Sequence, residues 1–501
     1  MESNLGFCGF TAYQKGFSKT ITLSESQDSV VPDTFPDIAA ILCTSGCVLI
    51  RSKDVAEGHV HLEANIPARV CCAGEEGQRY CLDVNVPVFI SAEDEGIREN
   101  SVCTAELTLK HLEARMLNSR KISVRAEVGA EVVCYSEVSE TFSTAPQEAS
   151  GLIHVLEQTA ELTSIGCVTE KTFVLTDEAE LSPGFRDAEE IVAQNADILI
   201  QEMRSVGSKL ILKGTARSDL IIRADDGELE PLQIQTEFSQ IVETQTETDS
   251  ARFEVRMLTS GMYYELSGDA EQKTVSMELH LVAQIVVYTQ QQIRFLADAY
   301  SNIYALEIRR QQKEIERCGR EVFHRETITA VVETAGEINE VIACHAVPVG
   351  CARDGEAIAL QLLIRLCWKS GNSVCSAERT LSKRIALDPG DGEVRVCGIS
   401  VLDVKASPDS SGAVLRITLE LRGFTVERSV LDCICAIAYD EESPLEQDDK
   451  PTLVILYPRN SGDLWTLAKE NCSTIESICA ANTLDGDTWP SGRMILIPKT
   501  V

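Results

Sequence analysis

The sequence predicts a mainly β protein, with three tandem β-sandwich-like units followed by a small α+β module of βααβ order. Three observations carry that expectation. Alternation of apolar and polar residues, the mark of a strand with one buried face, dominates most of the chain. Apolar runs ending in Tyr recur at domain-sized intervals, with Tyr135, Tyr288 and Tyr439 falling 153 and 151 residues apart. Near the C-terminus an acidic run is followed by a different pattern of strand, two short helices and strand. A chain of 501 residues is also too long for one hydrophobic core. The expected division is 1–150, 151–300 and 301–440 for the β units, 441–451 for an acidic linker and 452–501 for the module.

Each β unit is read from its alternation. In the first, Val60, Leu62, Ala64, Ile66, Ala68 and Val70 lead through a Gly74–Gly77 turn to Leu82, Val84, Val86, Val88 and Ile90. The second offers Ile198 and Ile200, Leu210–Leu212, a turn at 225–227, and Met277, Leu279, Leu281, Ala283, Ile285 and Val287. The third gives Ile358, Leu360, Leu362, Ile364, Leu366 and Trp368, a turn at 369–372, then Leu415, Ile417, Leu419 and Leu421. Short stretches near unit starts, Pro36–Leu42 and Phe185–Val192, read as helices. Ser139–Gly151 and the polar stretch from Gln290 to about Glu316 read as linkers, the latter with helical potential through Leu306–Arg310.

In the module, Thr452–Tyr457 is a compact strand and Asp463 is placed to cap a helix starting at Leu464, with Trp465, Leu467 and Ala468 inward. A second helix follows Ser473-Thr474, and Arg493–Pro498 closes as a strand. Gly462-Asp463, Leu464-Trp465, Leu467-Ala468-Lys469, Thr474-Ile475-Glu476-Ser477-Ile478, Ala481-Asn482 and Pro490-x-Gly492-x-x-Ile495-x-Ile497-Pro498 together resemble a LysM domain. One residue is missing from that family's Gly-Asp-Thr-Leu, in a loop that walls its N-acetylglucosamine groove, and this weighs against glycan binding.

Three acidic β repeats followed by such a module are similar to the SPOCS-domain proteins of endospore-forming bacteria. Asp298-Ala299-Tyr300-Ser301 with Tyr304 is similar to a sequence common in that family. The resemblance implies a non-enzymatic adaptor of spore-coat and envelope assembly, lying in the mother-cell cytoplasm at the outer forespore surface. It also implies docking through the module on the morphogenetic ATPase SpoIVA, with other coat proteins as candidate partners of the repeats. The residues assigned to partner contact are Gly462, Asp463, Leu464, Lys469, Asn482, Leu484, Trp489 and Ile495, with Trp489 as an aromatic anchor. The alternative is a protein of the cell wall or cortex that binds peptidoglycan through N-acetylglucosamine.

Charge and motifs narrow the classes further. Lys plus Arg number 45 against 78 Asp plus Glu, a net −33 that repels phosphate backbones and anionic lipid, so neither nucleic-acid binding nor membrane binding is expected. The start of the chain has no basic and apolar leader, and the apolar stretches Ile358–Trp368 and Leu279–Tyr288 are too short to span a bilayer. An intracellular location follows as an expectation. The 19 cysteines are scattered and odd in number, and read as reduced thiols acting as small hydrophobes. His59 and His61 near Cys71 and Cys72, and Cys344, His345 and Cys351, have no Cys-x-x-Cys pair beside them, so no metal or other cofactor is expected. No nucleophile elbow, phosphate loop or His-Glu-x-x-His occurs, and no enzymatic activity is expected.

Overall fold

The structure is a computed structural model that describes residues 4–146, 152–182, 185, 188–225, 227–247, 250–268, 273–334, 337–354, 357–371, 373–387, 393–445, 452–458, 461–484, 486, 488–489, 492–499. It is mainly β and antiparallel. The first unit comprises β1 (Gly6–Val30), β2 (Ile38–Ser45), β3 (Leu49–Ala56), β4 (His59–Gly74), β5 (Arg79–Glu93), β6 (Val102–Asn118) and β7 (Lys121–Thr144). The second runs through β8 (His154–Glu180), β9 (Ala188–Val206), β10 (Lys209–Ala224), β11 (Leu229–Glu243), β12 (Arg252–Gly268) and β13 (Lys273–Tyr300). The third holds β14 (Tyr304–Glu333), β15 (Glu340–Asp354), β16 (Ala357–Ser370), β17 (Ser373–Ala386), β18 (Glu393–Asp409) and β19 (Gly412–Pro444).

The same pairing plan appears three times. The first strand of each unit pairs with the last, and the last with the one before it, giving β1-β7-β6, β8-β13-β12 and β14-β19-β18. A second sheet forms from the strands between: β9-β10-β11, β15-β16-β17, and β4 flanked by β5 on one side and by β2 and β3 on the other. The alternating residues of β4, β5 and β16 face inward, and the cores of the first and third units are built largely from them. Turn chemistry fits the hairpins: Gly77 takes φ +86°, a left-handed conformation open to glycine without strain.

A close approach marks each first strand. The register slips by a bulge at Gly16, at Gly166 and at Gly319 with Arg320. A Cβ on Gly16 would come within 2.4 Å of the Gly96 carbonyl oxygen, a backbone atom that no rotamer change moves away, so glycine is needed at that bulge. Opposite the bulges, Tyr135, Tyr288 and Phe424 meet with Val133, Val286 and Val426 in one cluster shared by all three units. The Tyr288 and Phe424 rings lie edge to face at 5.2 Å. The third counterpart of the recurring tyrosine is therefore Phe424. Tyr439 lies further along β19, opposite Leu306, and stacks on Tyr304.

Beyond the shared cluster the paired strands continue as long ribbons that pack on one another. Phe142, Leu162, Ile293, Phe295 and Cys433 form one apolar layer, and Leu5, Leu296, Ala299, Ile434 and Ile437 form the next. These ribbons correct several expectations. Ser139–Thr144 and Gln290–Tyr300 are strand, and only Ser301–Ile303 separate β13 from β14. Leu306 and Ile308 alternate with exposed Glu307 and Arg309, a strand pattern, and pack on the layer of Ile434 and Ile437. Ile38–Ser45 and Ala188–Val192 are strand as well, because β2 and β9 satisfy their backbones against β4 and β10. Of the expected acidic linker, residues 441–444 are the end of β19, and the remainder of the expected linkers, 147–151 and 446–451, lies outside the described residues.

Candidate docking module

The C-terminal module contains β20 (Leu453–Leu456), β21 (Gly462–Asp463), α1 (Leu464–Glu470), α2 (Ile475–Asn482), β22 (Thr488–Trp489) and β23 (Ile495–Pro498). Asp463 caps α1: its carboxylate accepts from the Trp465 and Thr466 amides at 3.2 and 3.0 Å and from the Thr466 hydroxyl. Burial works to raise this carboxyl, but those hydrogen bonds outweigh it and hold it below the usual range. Thr474 caps α2 by accepting from the Ser477 amide, and Thr483 ends that helix in a left-handed conformation. Both helices pack on one face of the β20-β23 pair, burying Leu464, Trp465, Leu467, Ala468, Ile478, Ile495 and Ile497.

The module is clamped to the end of the β13 ribbon. The Asp298 carboxylate accepts from Trp465 Nε1 at 2.9 Å and from Lys469 Nζ at 2.7 and 2.8 Å, with Arg310 at 3.2 Å on its other side. Burial tends to raise the Asp298 carboxyl, yet hydrogen bonds from Lys469, Trp465 and the Ala299 amide hold it below the usual range. The Tyr300 ring stands edge to face with Trp465 at 4.8 Å and packs on His154, while its hydroxyl donates to the Ser473 carbonyl at 2.9 Å. Asn302 reaches the same carbonyl. The Asp298–Tyr300 segment thus positions the module.

The other face of the two-stranded sheet is uncovered. The register sets Leu453 against Pro498 and Ile455 against Leu496, and continuing it brings Tyr457 beside Met494. Leu453, Ile455, Tyr457 and Met494 are 45, 57, 70 and 43% exposed, and Leu496 and Pro498 are half-buried between them. Their ladder is apolar apart from the Tyr457 hydroxyl, a concentration of exposed hydrophobic area that marks interaction surfaces.

The residues assigned to contact from sequence divide in two. Leu464 and Ile495 are fully buried, and Asn482 is buried with its amide tied to the Ile478 and Leu496 backbones, so these three hold the module together rather than line a surface. Ile495, assigned to contact, is turned inward by its alternation with Leu496. Asp463 is engaged as a cap and Lys469 in the clamp. Gly462 pairs with Trp489 and has no room for a Cβ under that ring. Trp489, half-buried in this pairing, and half-buried Leu484 lie at the module's surface beside the core. Leu453, Ile455, Tyr457 and Met494 were not assigned to contact; the signal for them was Leu453-Val-Ile-Leu-Tyr457, a strand apolar on both faces although helices cover only one.

Elsewhere, a cleft of about 870 Å³ opens between the three units, bounded in part by Ile50, Glu106, Arg256, Met257, Val347 and Arg365. Two of its cations join the units: Arg256 binds Glu131 and Glu254, and Arg365 donates to the Leu109 carbonyl at 2.7 Å. His61 bonds Ser91 and His345 faces Asp219. Among the described residues no group of three or more His, Cys, Asp or Glu side chains is arranged to hold a metal, and no helix is long and apolar enough to cross a membrane. No protein-family model, curated protein or solved structure matches the chain.

Proposed function

We propose that the chain is a non-enzymatic adaptor of spore-envelope assembly, SipL-like in plan, that docks on a SpoIVA-like morphogenetic ATPase through its C-terminal module at the forespore surface, on the mother-cell side. The observation that carries this reading is the apolar ladder of Leu453, Ile455, Tyr457 and Met494 on a module whose orientation is fixed by Asp298 and Tyr300. An exposed aromatic set among aliphatic neighbours is the composition of a protein-binding hot spot. A ladder whose one polar side-chain group is the Tyr457 hydroxyl offers few hydrogen-bond partners to the hydroxyls of a sugar. Net charge −33 on the chain opposes collapse of copies onto one another and leaves the ladder available.

The test uses the purified full chain in two parallel assays, retention of the ATPase and sedimentation with murein. The reading expects the ATPase to be retained by the native chain and lost with Ile455→Lys or Tyr457→Lys, each variant keeping its native circular dichroism. Sedimentation with murein and no retention of the ATPase would replace the adaptor with a glycan-binding protein.

A further inference from the structure

Three cysteines stand in a row across adjacent strands of the first unit. The register places Cys43 of β2 opposite Cys71 of β4, and Cys71 opposite Cys81 of β5. Directly opposed residues of antiparallel neighbours project to the same face, so the three thiols share one side of the sheet. The Sγ atoms of Cys71 and Cys81 are 2.9 Å apart, and Cys43 stands directly opposite Cys71 on the other side. Its interaction with Cys71 holds the Cys43 thiol below its usual range even though burial opposes it.

Position separates this row from the cysteines that fill core space. Cys72, next in sequence, points to the opposite face and is wholly buried in the core of the unit. Cys103 and Cys134 are also cross-strand neighbours, but both are buried in that core and closed to reagents. The row instead faces the second unit, where Cys71 Sγ approaches the Val192 carbonyl and a narrow crevice runs past Cys43, Cys71, Tyr80, Cys81 and Arg223. Cys71 is buried between two half-buried outer thiols. A half-buried thiol next to a buried one, within bonding reach after a small rotation, is the arrangement that favours disulfide formation over stable capping.

We propose that Cys43, Cys71 and Cys81 form a dithiol oxidation site whose co-substrate is a small disulfide of the glutathione class, with Cys71 as the shared partner. The thiolate of Cys43 or Cys81 attacks the small disulfide, forming a protein–small-thiol mixed disulfide and releasing one small thiolate. Cys71 then gives its proton to solvent and attacks the protein-side sulfur, forming an intramolecular disulfide and expelling the second small thiolate. Two protein thiols are oxidised, one small disulfide is reduced to two thiols, and the two protons released are taken up by the departing thiolates. The remaining outer thiol can exchange into the bond, moving the staple between β4–β5 and β2–β4 with no net redox change.

The experiment treats the native full chain with glutathione disulfide, quenches in acid, alkylates free thiols and maps peptides without reduction. The expected product links Cys71 to Cys81 or to Cys43, never to both, leaves the other outer thiol alkylated, and leaves Cys103 and Cys134 reduced. Cys81→Ser moves the whole yield to Cys43–Cys71. Cys71→Ser, or Cys71→Ala if the first folds poorly by circular dichroism, leaves only mixed disulfides on the outer thiols. The proposal is overturned if the native chain gives a Cys43–Cys81 bond, accumulates stable mixed disulfides at these positions, or leaves all three unmodified while exposed Cys351 and Cys435 react.

Discussion

Replacing Asp298 with Ala tests whether the module is held by the clamp or only tethered by the chain. The variant removes the acceptor for Trp465 Nε1, on a residue only 8% exposed, and for the Lys469 ammonium, which keeps access to water. An unsatisfied buried donor costs about 1–3 kcal/mol, and the loss at half-exposed Lys469 adds about 0.5 kcal/mol after screening. Arg310 keeps Asp432 and the Ala297 carbonyl as partners and adds little. The sum is about 1.5–3.5 kcal/mol, which raises the open population roughly 10- to 400-fold. Hydrogen exchange read by mass spectrometry reports this directly: amides of Leu464–Glu470 and Ile475–Asn482 should exchange faster by that factor while those of β4 and β5 stay unchanged. Asp298→Asn, which retains one acceptor, should fall between. Exchange within about twofold of the native chain in α1 and α2 would refute the clamp. The pH dependence has a fixed sign. The folded Asp298 carboxyl titrates below its unfolded value near 3.9, so its contribution is complete above about pH 5 and is lost as pH falls through the unfolded and then the folded value.

Other expectations follow from the packing of the units. Arg256→Ala leaves Glu254 buried against the Tyr288 hydroxyl and Glu131 unpaired, and should lower the urea midpoint by the equivalent of about 3 kcal/mol; a loss under about 1 kcal/mol would show that the pairs are only solvated neighbours. Gly16→Ala drives a Cβ into the Gly96 carbonyl at the first bulge and should cost about 1–3 kcal/mol in thermal unfolding, whereas Gly398→Ala, with open space at that position, should be neutral within about 0.5 kcal/mol. His345 is held neutral because burial lowers its pKa, against the pull of Asp219 and Asp197 and together with the repulsion of Arg217 and Arg365. Its folded pKa lies below the unfolded value near 6.5, so stability should fall as pH drops through that value, and His345→Gln should flatten the decline in a pH series of urea midpoints.

How far the fold was legible depended on how local its causes were. The alternation of Val60–Val70 and Leu82–Ile90 was readable because each strand has one core-facing side, and those residues are buried as the alternation requires. The helices of the module were readable from Asp463 and Thr474, whose capping is a contact over three residues. Strands of 25 to 33 residues, such as β1 and β19, were not, since globular strands usually run about 3–10 residues and the polar ribbon ends looked like joints. Only the packing of three ribbons supplies partners for Ile293, Phe295, Leu306 and Ile308. Tyr439 matched the spacing of Tyr135 and Tyr288, but the bulge at Gly319 fixes the true counterpart at Phe424, which no periodicity shows. In the module, residue type located the caps and core, while the outward face of β20 needed the knowledge that helices cover one side alone.

The docking claim is tested most directly by titrating the full chain with the SpoIVA-like ATPase and comparing the native protein with Ile455→Lys. Ile455 is more than half exposed and supports no core contact that the substitution would break. A central apolar contact is worth about 2–4 kcal/mol at an interface, so affinity should fall roughly 30- to 1,000-fold. An affinity within about twofold of the native value would place the partner elsewhere on the molecule and contradict the account.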